Sequence, residues 1–131
     1  MKGNILFCKT SFQLEKLKNK NPDSNIYHLQ DVVDSKDFNS ELDNQKYYSK
    51  IKKDLLNYIF NDSSIYLIAQ RDQKKPGNNI IKLNENIYKS IEKCLLVFIK
   101  VKPKIIIYHY FPHDLDHYII HLIGLYNNFK Q

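Results

Sequence analysis

The chain has 131 residues, 43% of them hydrophobic and 26% charged, with a net charge of +6. Those figures fit one folded domain able to bury its own core, and they exclude a disordered chain, which would carry fewer apolar residues. The positive charge is almost all lysine, with Arg71 the sole arginine, which argues against sequence-specific nucleic-acid binding through bidentate arginine contacts.

Asn4–Lys9 (NILFCK) is a short apolar run and reads as a buried strand. It is too short for a signal peptide, and Lys9 follows it at once. Thr10 with Gln13 three residues later forms a capping box for a helix through Phe12, Leu14 and Leu17. Asn21-Pro22-Asp23 ends that helix, and Ile26–Leu29 (IYHL) reads as a second strand. Strand, helix and strand in thirty residues have the lengths of a βαβ unit.

Ser35 is placed to cap one long helix reaching Phe60, with Phe38, Leu42, Tyr48, Ile51, Leu55 and Ile59 near a 3.6-residue period. Lys50, Lys52 and Lys53 lie on it as a solvated basic face, with some attraction for anionic lipid or ligand. Ile65–Ala69 (IYLIA) suits a strand or a short helix, and a helix is the preferred reading. Residues 71–79 (RDQKKPGNN) read as a loop. Asn84 reads as the cap of the next helix, whose stripe is Ile87, Ile91, Leu95 and Phe98 and which Lys102-Pro103 stops. Ile105–Tyr108 (IIIY) is the best strand of the sequence, and the last helix runs from Asp114 to about Tyr126.

Strands alternating with helices predict an α/β domain with a mainly parallel sheet. Neither GxGxxG nor GxxxxGK[ST] occurs. Cys8 and Cys94 fit no zinc or redox spacing and read as buried free thiols. No apolar stretch approaches the ~18–20 residues of a membrane span; with the thiols, this gives a cytoplasmic expectation.

Four of the five histidines, His109, His113, His117 and His121, fall at even steps of four. They do not form one helical stripe. Pro112 is unfavourable inside a helix and pushes its predecessor out of helical geometry. His109 therefore belongs to the strand end, His113 to the turn, and only His117 and His121 to the last helix. There they fall opposite an apolar face of Leu115, Tyr118, Ile119, Leu122 and Tyr126, towards solvent, a partner or a cleft. HYIIH lacks the glutamate of a zincin helix, with Tyr118 standing in its place, so no metal is assigned.

His109, Phe111, Pro112 and His113 follow the best strand, where open α/β sheets bind ligands, and the next helix N-terminus attracts anions. A histidine there suits general-base work. The plainer reading is that His113 caps the helix and His109 packs.

The segment PKIIIYHYFPHDLDHYIIHLIGLYNNFK, Pro103 to Lys130, resembles glycosyltransferase-like proteins of capsular and surface-polysaccharide biosynthesis. Pro103, the strand 105–108, Pro112-His113, Tyr118 and Phe129-Lys130 carry the resemblance, together with NILF and the tyrosine-containing helix 84–98. Arg71 is a looser match, and Lys104 stands where an acidic residue is usual.

The resemblance implies that residues 1–131 form one Rossmann-like three-layer domain with a mainly parallel sheet, incomplete at its C-terminal end. That domain would be the amino-terminal, acceptor-side half of a GT-B-like enzyme, inactive without its second domain. His113 would be the catalytic base. His109, Phe111, His117, Arg71 and Asp114 would contact substrate, with Asp114 and Asp116 capping the helix or orienting a histidine. The chain itself would hold no cofactor, and the nucleotide-sugar donor would sit on the other half. The partner would be a sugar or lipid-linked acceptor at the inner face of the cell membrane, with a homo-oligomer also compatible. Two other classes stay open: a non-catalytic α/β binding module, and a metal-binding protein using the histidine-rich segment.

Overall fold

The computed structural model describes residues 4–8, 14–43, 53–72, 80–108 and 114–127. In chain order the elements are β1 (Asn4–Phe7), α1 (Leu14–Lys20), β2 (Asn25–His28), α2 (Leu29–Asp34), α3 (Lys36–Asp43), α4 (Lys53–Phe60), α5 (Ile65–Asp72), α6 (Ile80–Val101), β3 (Ile105–Ile107) and α7 (Leu115–Tyr126). The fold is α/β and mostly helical, with one three-stranded parallel sheet in the order β2-β1-β3.

β1 is the central strand. Its Ile5 and Leu6 point to opposite faces, yet are only 4% and 0% exposed. A strand covered on both faces reads as a continuous apolar run, which is why NILF needs no alternation. Leu6 pairs with Ile106 of β3, and both join the large core beneath α6 and α7. Asn4 ties the amino end together. Its side chain donates to Val101 O at 2.6 Å, satisfying a carbonyl at the end of α6. Its backbone oxygen accepts from Lys104 N at 2.8 Å, and its Oδ1 accepts from Asn25 Nδ2 at 3.3 Å.

Several helix boundaries differ from the sequence reading. His28 closes β2, and Leu29 opens α2, which was not foreseen. α2 starts without a side-chain cap bond, so no capping residue announces it. Ser35 does cap a helix: its Oγ accepts from Phe38 N at 3.2 Å. The described parts of the expected long helix are α3 and α4; residues 44–52, including Tyr48, Lys50, Ile51 and Lys52, lie outside the described residues. Ile65–Ala69 is helical, as α5, and Arg71 belongs to its last turn rather than to a loop.

α6 starts at Ile80, so Asn84 is an interior residue and not a cap. Asn84 Oδ1 instead accepts from Tyr66 of α5 at 2.8 Å. The buried stripe of α6 runs through Leu83, Ile87, Ile91, Cys94, Val97 and Val101, leaving Leu95 and Phe98 half-buried. α6 stops at Lys102, which takes a left-handed φ of 49°, and Pro103 follows. This is the position where glycine usually ends a helix.

A side chain with a Cβ is unfavourable in that conformation. Lys102→Gly should therefore stabilise the protein by about 0.5–1 kcal/mol in urea denaturation, net of glycine's extra unfolded-state freedom. A loss of stability would show that the lysine side chain contributes contacts outweighing its backbone cost.

Candidate functional site

The strand order makes one place distinctive. From β1 the chain passes to β2 on one side, while β3 lies on the other. The chain therefore leaves β1 and β3 from adjacent strand ends, the position at which open parallel sheets bind ligands. Cys8 N donates to Ile107 O at 2.9 Å, holding the two ends side by side. By the two-residue period, Cys8 and Tyr108 share the face of Leu6 and Ile106, the face of the main core.

Helix α6 supplies the side of this site. Its last residues lie at the amino end of β1, held by Asn4. Ser90 is ~16 Å back along the helix at 1.5 Å per residue, about the length of a five-residue strand. That brings Ser90, Lys93 and Cys94 level with the carboxyl ends of the strands, where α7 begins. Ser90 Oγ donates to Asp116 Oδ1 and Lys93 Nζ pairs with Asp116 Oδ2, both at 2.5 Å. Cys94 Sγ donates to Asp116 O at 3.4 Å. Asp116 thus fastens the first turn of α7 to α6. Ser90 and Lys93 have the spacing of a serine-lysine nucleophile pair. However, Ser90 is only 4% exposed and spends its proton on Asp116, so the pair is a structural clasp.

Asp114 occupies the N-cap of α7, and its backbone oxygen accepts from Tyr118 N at 2.8 Å. Its side chain makes no capping bond and lies 3.9 Å from His117 Nδ1. Orienting a histidine is thus the role the geometry favours for Asp114, and the clasp to α6 is the role of Asp116. Two carboxylates in and before the first turn answer the positive end of the helix dipole.

The His117 side chain is 31% exposed. His121 is half-buried: its ring stands edge-on to Tyr108 at 6.2 Å and tilted to Tyr118 at 6.0 Å. The buried arc of α7 is wider than expected and includes Ile120, Ile123 and Gly124. Tyr118 donates from its hydroxyl to Asp62 Oδ2 at 2.8 Å, tying α7 to the turn before α5. Burial and that bond push the Tyr118 phenol above the ordinary tyrosine value.

His109, Phe111 and His113 lie outside the described residues, in the segment joining β3 to α7. The structure brings Asp114 and His117 together at its far end. Arg71 is exposed in the last turn of α5, where a cation complements the dipole of its own helix. Among the described residues no group of three or more His, Cys, Asp or Glu side chains could hold a metal ion. No described helix is long and apolar enough to cross a membrane.

Tyr108, Ser90 and Lys93 are site neighbours that the sequence reading missed. The Tyr108 hydroxyl is sealed from solvent and has no hydrogen-bond partner among the described residues. Such a group normally costs about 1–3 kcal/mol, so its presence asks for a reason. Burial, and then the neighbouring Cys8 and Cys94, push its phenol well above the usual range, so it stays a protonated donor.

Both cysteines are free and buried. Burial pushes the Cys8 thiol from 9.0 up to about 12, and raises Cys94 well above its ordinary value, with Asp116 adding to the effect. A raised thiol pKa means the native state holds its proton where the unfolded chain has lost it. The thiols' contribution is complete below pH 9.0 and is lost as pH rises towards about 12. Stability should therefore fall across that interval in pH-dependent urea titrations. Both thiols should resist a disulfide reagent at pH 8 until the protein unfolds. Rapid native labelling would contradict the burial of the site's floor.

In comparisons with known proteins, no family model, no curated protein and no solved structure matches this chain.

Proposed function

We propose that this chain is the acceptor-binding, amino-terminal domain of a glycosyltransferase-like protein of surface-polysaccharide biosynthesis. In this reading the sheet and helices form a Rossmann-like three-layer domain within a GT-B-like architecture. The observation that supports the reading is the β2-β1-β3 order, which puts the carboxyl ends of β1 and β3 side by side. The segment between β3 and α7 holds the Pro112-His113 pair on which the family resemblance rests.

The electrostatics support the acceptor side. At the start of α7 Asp114 would repel a pyrophosphate, while Asp116 is already neutralised by Lys93. A neutral, hydroxyl-rich sugar suffers no such repulsion, and histidine, tyrosine and carboxylate are suited to its hydrogen bonds. The nucleotide-sugar donor then belongs to a second domain.

In the transfer, an acceptor hydroxyl oxygen bonds to the donor's anomeric carbon as the bond to the leaving phosphate breaks. His113 takes the hydroxyl proton. Asp114 holds His117 at the rim as a substrate contact. Phe111 and His109 would contact the acceptor. Arg71, exposed in the last turn of α5, would be a further substrate contact. A lipid-linked acceptor would place the protein at the inner face of the cell membrane. The second reading is an α/β module that binds the same sugar without transferring it; the clasped, non-nucleophilic Ser90 and Lys93 favour no other chemistry.

Calorimetric titration of the chain with methyl glycosides of common hexoses and N-acetylhexosamines should find at least one that binds. His113→Ala should weaken that binding by ~10-fold or more while leaving the melting temperature unchanged. Absence of binding across the panel would contradict the acceptor reading. Binding unaffected by His113→Ala would remove His113 from the site.

A further inference from the structure

Tyr108 offers one polar atom at the depth of the site that the fold itself does not use. Its hydroxyl is sealed from solvent and lacks a partner among the described residues, although nearby groups have theirs: Ser90 is bound to Asp116, Cys94 to the Asp116 carbonyl, and Tyr118 to Asp62. Tyr108 follows β3 by one residue and shares its face with Cys8, which follows β1 by one residue. His121 stands edge-on to its ring. The tyrosine thus lies on the floor of the place where the strand order puts a ligand.

We propose that the Tyr108 hydroxyl is a ligand-contacting group of this site, donating a hydrogen bond to a neutral hydroxyl or carbonyl oxygen of a carbohydrate. This rests on the acceptor-binding reading above and goes beyond it by naming the donor. The surroundings define what the hydroxyl can accept as a partner. Two buried thiols and the core residues Leu6 and Ile106 make the floor apolar, which disfavours a charged ligand atom. A hydrogen bond made there is unscreened and counts for more than one made at the rim. A ligand oxygen that reaches the floor would also be discriminated strongly from an analogue lacking it, because the tyrosine would be left unpaired.

The test is calorimetric titration of the wild-type protein and Tyr108→Phe with the same methyl glycosides, and with the monodeoxy derivatives of the best ligand. Tyr108→Phe should bind ~10-fold more weakly, equivalent to about 1.4 kcal/mol. Its melting temperature should be equal to or above the wild type, since no internal hydrogen bond is lost. One deoxy derivative should lose the same factor against the wild type and nothing further against Tyr108→Phe. A purely structural tyrosine would not produce that matched loss. Equal binding by the two proteins, or a deoxy series that Tyr108→Phe reads as the wild type does, overturns this inference and leaves the acceptor reading standing. If the wild type binds no glycoside, both are overturned. If Tyr108→Phe is markedly less stable, the hydroxyl is holding the fold together, and the inference is again overturned.

Discussion

The burial of β1 on both edges and both faces is the constraint on which the rest depends. Its backbone is paired on one side with β2 and on the other with β3. Its side chains leave no face for solvent, with Ile5 and Leu6 both buried. A strand in that position must be apolar throughout and must be reached from both sides by long connections. The connection to β3 therefore contains α2 to α6, and α6 closes it by packing along β1 and delivering its C-terminus to Asn4. The placing of β2 and β3 on opposite sides of β1 then sets the ends of β1 and β3 next to each other. The candidate site results from that topology.

The second structural element of the site is the clasp between α6 and α7. Asp116 joins the first turn of α7 to Ser90 and Lys93, and Tyr118 joins the next turn to Asp62. These bonds use up polar groups that would otherwise be candidates for chemistry. They also neutralise the helix start, so that the site is polar without being an anion trap. In the proposed site the Asp114–His117 pair and the Tyr108 hydroxyl would be the groups that meet a ligand.

The strands were legible because each is an apolar run with nothing else to do: NILF, NIYH and III were located to within a residue or two. The helix start at Asp114 was legible because N-cap geometry is local; Pro112 lies outside the described residues. Where the reading failed, the cause was tertiary. Asn84 looks like a cap, but a tyrosine eighteen residues earlier occupies its side chain. Asp116 looks like a helix-start acid, yet its partners lie 26 and 23 residues upstream on another helix. Tyr108 reads as one more β-former in IIIY, and only the packing of α7 over it shows that its hydroxyl is left without a partner. α2 has six residues and no side-chain cap, too little signal for any period to register.

The most direct measurement is backbone amide shift mapping of the isotopically labelled protein during titration with the glycoside it binds. The account predicts shifts concentrated at the carboxyl end: Cys8, Tyr108, and Asp114 to His117, with His121 behind them. Asn4, Asn25 and Lys104, at the opposite end of the same strands, should stay still. Shifts clustered at the amino end of the sheet, or on the exposed face of α5 around Leu67, would contradict the account, because the strand order would then have no bearing on where the ligand binds.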